Sequence, residues 1–157
     1  MSSTKIRVKI RAPREQVYSA LLDPDLVPQW KVPRDMTCHV HEWSPVEGGI
    51  FRVSLTYRDD SVGKTSEHTD TYHGRFTRLI ENVEVSDEHE FETSDPSMKG
   101  VMTSSIRLDD VDGGTELIAT HRNLPTGLSL ELNMIGWRES LDRLTMILEK
   151  PDKLKPY

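Results

Sequence analysis

The chain is poor in cysteine, in aromatic side chains and in basic charge, and it has no long apolar run. Its one cysteine, Cys38, has no partner within the chain, which excludes an internal disulfide framework. No apolar stretch approaches the roughly 20 residues a spanning helix needs, so stable membrane insertion is not expected. With no signal-peptide pattern after Met1, the expected location is the cytoplasm. Basic residues number 20 against 26 acidic ones, a net charge of −6. A nucleic-acid partner needs a basic face to displace counterions from phosphates and is therefore not expected. Aromatic residues are only 6% of the chain, three Trp, four Tyr and three Phe, so the place of each one bears on how the core is filled. What is present is 157 residues, 35% of them hydrophobic. That suits a single domain over 1–157, with 151–157 as a short C-terminal tail. A domain of this size buries roughly 70% of its unfolded surface without staples.

Hydrophobic periodicity orders the chain. From Lys5 to Arg11, Ile6, Val8 and Ile10 alternate with Lys and Arg, the pattern of a half-buried strand with a basic outer face. Pro13-Arg14-Glu15 is a helix entry, and Val17, Ala20 and Leu21 supply one short apolar stripe. Asp23-Pro24 stops that helix, and a second short turn, Asp25-Leu26-Val27, is expected to close at Pro28 before Trp30. Six strand-like segments follow: Cys38 to Trp43, the run of Phe51, Val53, Leu55 and Tyr57, Glu67 to Leu79, Val83 to Thr93, Val101 to Leu108, and Thr115 to Arg122. Asp59 to Lys64 forms a polar turn, and Asp112-Gly113-Gly114 a strong hairpin turn. The period then changes to that of a helix of roughly twenty residues, with Trp137, Leu141, Leu144 and Leu148 in one stripe. Ser129 is its expected cap and Lys150-Pro151 its end. Gly136 and Ser140 would let this helix approach the sheet or leave room beside it. The order predicts an α+β domain with one twisted antiparallel sheet that a single helix covers only in part. The gap is filled by large side chains or left as a cavity.

Five segments carry a family resemblance: Trp43 to Phe51 (WSPVEGGIF), Tyr72 to Phe76 (YHGRF), Val111 to Glu116 (VDGGTE), His121 to Pro125 (HRNLP) and Gly136 to Leu141 (GWRESL). Together with Ala12 to Val17, they resemble in order the bacterial proteins related to the C-terminal domain of the activator of the Hsp90 ATPase. That family lies within the START-like, polyketide-cyclase-like (SRPBCC) superfamily. The resemblance implies the helix-grip (START/Bet v 1-like) fold, in which a curved sheet wraps a long C-terminal helix with two short helices after strand one. It also implies a deep, mostly apolar pocket between helix and sheet. It settles fold far more than activity, since the superfamily holds lipid carriers, receptors and cyclases.

The pocket candidates are Phe51, Val53, Tyr72, Phe76, Val85, His89, Phe91, Met102, Ile106, Leu117, Ala119 and His121 from the strands, with Trp137 and Leu141 from the helix and Trp30 and Trp43 near the mouth. Taken singly, each reads more plainly as core. Asp87, His89 and His121 are less plain, because a carboxylate and imidazoles in an apolar pocket have shifted pKa values and can trade protons. They also read as a hydrogen-bonded polar group at a strand end. His39 and His41 share a strand face at a spacing that binds metal, yet no third ligand stands at diagnostic spacing, so no metal and no cofactor is expected. Cys38 has no basic neighbour in sequence and reads as an inert thiol.

Three functions follow as expectations. The first is binding of a small hydrophobic or amphipathic molecule, a lipid, polyketide or aromatic compound. The second is a cyclase, hydrolase or isomerase that uses the pocket Asp and His residues. The third is an Hsp90-associated interaction protein, for which the chain has no residues left to form the additional domain of the eukaryotic activator. A homodimer through exposed strands is compatible with all three.

Overall fold

A computed structural model describes residues 2–58 and 68–149. The element order is β1 (Ser3–Ile10), α1 (Arg14–Leu22), α2 (Val27–Trp30), β2 (Met36–Trp43), β3 (Ile50–Tyr57), β4 (Thr69–Ile80), β5 (Glu84–Phe91), β6 (Met102–Val111), β7 (Gly114–Arg122) and α3 (Leu130–Glu149). A single 3-10 turn, Pro96–Met98, lies between β5 and β6. The expected turn at Asp59 to Lys64, the start of the fourth strand at Glu67, and Lys150-Pro151 lie outside the described residues.

The seven strands form one sheet in the order β1-β7-β6-β5-β4-β3-β2, every pair antiparallel. β2 to β7 are a meander, as the alternation predicts, and β1 joins it beside β7. The two strands flanking the short helices are thus the two edges of the sheet, and α1 and α2 carry the chain across its whole width. Alternation sets which side chains face inward: Met102, Ser104, Ile106 and Leu108 on β6, and Thr115, Leu117, Ala119 and His121 on β7, are all buried. In β4 a bulge between Phe76 and Arg78 shifts the register. Gly74 pairs with His89 across the β4–β5 ladder. A Cβ there would run into the Glu88 carbonyl and the His89 backbone, so only glycine lets the strands close at that point.

Expectation and structure part at α2. Pro28 does not close the turn; it sits in the first turn of a helix that runs on to Trp30. The physical reason is that proline's missing N–H is one the first helical turn leaves unpaired in any case. Trp30, expected near the mouth, is 1% exposed and donates its indole N–H to the Ala20 carbonyl at 3.2 Å. It is a core pin between α2 and α1. Trp43 makes a parallel bond to the Leu22 carbonyl at 2.8 Å while staying half-buried.

α3 begins where Ser129 predicts, its hydroxyl accepting from the Leu132 N–H at 3.2 Å. The helix backbone lies closest to β1, α2 and α1. Its fully buried residues, Ser140, Leu141, Arg143, Leu144 and Ile147, all fall in the second half. Leu141, Leu144 and Ile147 join Ile6, Ile10, Val85, Ile106, Leu108 and Leu117 in the main core. Arg143 is buried with them and donates to the Gln29 carbonyl at 3.0 Å, tying α3 to α2. A methyl at Gly136 would meet only Pro33, at an ordinary 3.6 Å, so that glycine is not forced by close approach.

Candidate ligand site

Beneath the first half of α3, the inner face of the sheet turns polar. Asp87 and His89 on β5 and His121 on β7 project there because alternation points every second residue inward, and β6 holds the two strands apart by one strand width. Sequence places Asp87 and His89 on one strand face and His121 on the face of another strand, and in the structure the three stand together. The Asp87 carboxylate accepts from His89 Nδ1 at 2.7 Å, His89 Nε2 lies 3.1 Å from His121 Nε2, and His121 Nδ1 lies 3.2 Å from the amide nitrogen of Asn133 on α3. The same amide nitrogen donates to Thr4 Oγ1 at 3.4 Å. The two imidazoles stack at 5.1 Å and 28°, flanked by Tyr72 at 5.7 Å from His89 and by Trp137 at 5.8 Å from His121.

This chain has one consistent direction. An amide nitrogen only donates, so His121 Nδ1 accepts and its hydrogen stands on Nε2. His89 Nε2 then accepts, and its own hydrogen points from Nδ1 to Asp87. Two neutral imidazoles thus hang between an amide and a carboxylate. Turning the Asn133 amide over would present its oxygen to His121 and reverse the bond between the two imidazoles.

Electrostatics follow burial. Burial pushes the His121 pKa down to about 3, with the neighbouring His89 and Lys31 pushing the same way and Asp87 opposing. For Asp87, burial works to raise the pKa. The His89 imidazole beside it, with help from Lys31 and His121, more than offsets this and leaves the carboxyl below its ordinary value. Burial raises the Tyr72 phenol well above its ordinary value, and Cys38 and Asp87 push the same way, so it stays neutral. Burial also raises the Cys38 thiol to about 11, against the pull of Lys31. That agrees with an unreactive thiol.

Lys31, the residue after α2, was not singled out by sequence. Its ammonium stands 5.7, 5.5 and 5.6 Å from the ring centres of Trp43, Phe51 and Tyr72. Such contacts are worth about 0.5–1 kcal/mol each when exposed and more when desolvated. Its charge is felt at Cys38, Asp87 and His121, which places it on the inner side of the sheet. Asn133 and Thr4 were likewise missed. A lone lysine after a tryptophan carries no periodic signal, and neither does one asparagine in a helix.

Among the described residues, the Tyr72 hydroxyl and the second Asp87 oxygen have no protein hydrogen-bond partner. Neither is sealed, since Arg14 Nε alone is both buried and unpartnered there. Arg14 Nε itself stands 2.9 Å from an Asp110 oxygen, as an ion pair of poor hydrogen-bond angle. The other predicted positions divide. Phe51, Val53, Phe76, Val85, Ile106, Leu117, Ala119 and Leu141 belong to the continuous apolar core, with Phe91 packed against it. Met102 is buried opposite His89. A separate recess of about 500 Å³, open to solvent, lies on the outside between α1 and the β4–β5 turn. It is lined by Glu15, Tyr18, Ser19, Leu22, Asp23, Pro24, Glu81 and Asn82, none of them a predicted site residue. His39 and His41 touch edge to face at 4.5 Å on the exposed side of β2, and His41 bonds Ser54 at 2.8 Å. Among the described residues no group of three or more such side chains is arranged to hold a metal ion.

Known structures share this architecture. A Chromobacterium violaceum protein is 24% identical, with a TM-score of 0.84 over 94% of this chain and 96% of that one. A Rhodobacter sphaeroides protein is 20% identical, with a TM-score of 0.76 over 94% and 92%. DynU16, a protein of the dynemicin biosynthetic locus, is 19% identical with a TM-score of 0.68. That match covers 96% of this chain and 48% of DynU16. No curated protein matches the chain. No helix among the described residues is long and apolar enough to cross a membrane. The model of one family, described as Activator of Hsp90 ATPase homolog 1-like protein, matches residues 11–149. The chain belongs to that family, within the START-like superfamily whose helix-grip fold it shows.

Proposed function

We propose that the protein binds a small hydrophobic or amphipathic molecule between the first half of α3 and the inner face of β4 to β7. One observation carries this reading. The Tyr72 hydroxyl and one Asp87 oxygen are left without protein partners, yet unsealed, beneath a half-helix with no fully buried side chain. Buried polar groups are normally paired, and a few convergent polar groups in an apolar wall are what a ligand site presents. Family membership supports the same reading, because relatives of this fold bind small ligands. Apolar burial supplies the free energy, and Tyr72, His89 and His121 set the orientation.

The test is thermal unfolding with a panel of long-chain alcohols, acids and aromatic compounds, followed by tryptophan fluorescence. A binder at a hundred times its Kd should stabilise the fold by about 2.7 kcal/mol and change the emission of Trp137 and Trp43. A panel that moves neither signal would sink the proposal.

The Asp87–His89–His121 chain favours a second reading, an enzyme of the cyclase, hydrolase or isomerase kind. In it Asp87 fixes the His89 tautomer, and the paired imidazoles take and return a proton on the bound molecule. His89→Gln and His121→Gln should then abolish turnover while leaving binding in place; turnover that survives both rejects it.

A further inference from the structure

We infer that the bound molecule is an amphipathic acid whose carboxylate head is held by Lys31; this rests on the binding reading above and narrows it. Lys31 extends from the end of α2 so that its ammonium sits against Trp43, Phe51 and Tyr72. Among the described residues no hydrogen bond or ion pair reaches that ammonium. The rings satisfy its charge in part, but its three N–H donors have no acceptor. The carboxylate whose pKa Lys31 influences, Asp87, is already engaged by His89 at 2.7 Å and forms no ion pair with Lys31. The site therefore holds a half-buried cation without a contacting anion, one ring away from the imidazole chain, because Tyr72 touches both Lys31 and His89.

Three head groups compete for that position. A neutral apolar ligand would strip water from the ammonium and return nothing. A cationic ligand would meet aromatic rings already occupied by a cation. A carboxylate accepts the free N–H groups in charge-assisted hydrogen bonds, the strong kind. The Tyr72 ring lies 5.6 Å from the Lys31 ammonium, and its hydroxyl, kept neutral, has a hydrogen to donate to the same head group. The apolar chain of such a ligand would then lie under Trp137 and the first half of α3.

Isothermal titration of dodecanoate, dodecanol and dodecylamine into the native chain, Lys31→Met and Lys31→Arg, near neutral pH, decides it. Dodecanoate should bind the native chain roughly tenfold tighter than dodecanol. Lys31→Met should erase that preference without weakening dodecanol, and Lys31→Arg should keep it. Thermal melts confirm that each variant is folded, and Lys31→Gln replaces the methionine variant if that one is not. Equal affinity for acid and alcohol, a preference that survives Lys31→Met, or tightest binding of the amine overturns the head-group assignment and leaves the binding reading standing. If none of the three binds, the binding reading falls and the assignment with it.

Discussion

The two halves of α3 belong to one helix and behave as different materials. From Ser140 onward the helix is a core element, with Leu141 and Leu144 fully buried among the aliphatic residues of β1, β6 and β7. Before Ser140 it buries nothing completely. Leu132 is 68% exposed and Ile135 47%, while Asn133 and Trp137 rest half-buried over two histidines. A helix that only needed to stabilise the sheet would bury a stripe along its whole length. Here the second half holds the fold together and the first half roofs a polar floor, so stability and recognition should separate along α3.

The strongest way to break that comparison is to truncate one large side chain in each half. Leu144→Ala should cost about 2–5 kcal/mol of unfolding free energy in denaturant titration, with little change in ligand affinity. Trp137→Ala, at a half-exposed position, should cost less stability and remove most of the binding. If Trp137→Ala proved as destabilising as Leu144→Ala while binding stayed intact, the first half of α3 would be ordinary core.

Acid should expose the same division with a smaller effect. His121 is protonated in the unfolded chain near its ordinary value of 6.5 but in the folded protein only at about 3. The unfolded state therefore binds the extra proton first, and stability is lost progressively as pH falls from 6.5 toward 3. Asp87, held below its ordinary value of 3.8, loses its contribution only as pH falls below that range. Melting temperatures of His121→Gln across this window should slope less steeply than those of the native chain. An unchanged slope would mean that His121 is not the group whose burial opposes protonation.

How far these features could be read from sequence depends on whether they repeat. The meander, the hairpin at Gly113 and the stripe of α3 were legible because alternation and helical spacing repeat a signal over many residues. His89 and His121 were legible as inward-facing for the same reason, since each sits in register with apolar neighbours on its own strand. Lys31, Asn133 and Thr4 were not, because each reaches the site by a single contact that crosses from another element and leaves no period. Pro28 misled because proline both ends helices and begins them, and only the chain beyond it decides which. Trp30 misled because an aromatic between prolines looks like a loop residue until its indole finds the Ala20 carbonyl.

Asn133 offers the finest probe of the open half. Its amide nitrogen, shared between Thr4 and His121, calls on His121 Nδ1 to accept, and the Asp87 carboxylate at the other end calls on His89 Nδ1 to donate, so both ends ask for the same direction of the bonds between them. Asn133→Ala removes two hydrogen bonds from a half-buried position, so the expected stability loss is only about 1 kcal/mol. The tautomers report which end of the chain sets its direction. Nitrogen NMR of the native protein near neutral pH should show His121 with its hydrogen on Nε2, and Asn133→Ala should keep it there, because Asp87 still holds the His89 hydrogen on Nδ1 and leaves His89 Nε2 to accept from His121. Asn133→Asp reverses the demand outright. A carboxylate facing His121 Nδ1 calls for a hydrogen there, so the imidazole chain must either reverse or take up a proton. If Asn133→Ala instead releases a mixture of His121 tautomers, the direction of the chain is set by the helix above the imidazoles and not by Asp87 below them.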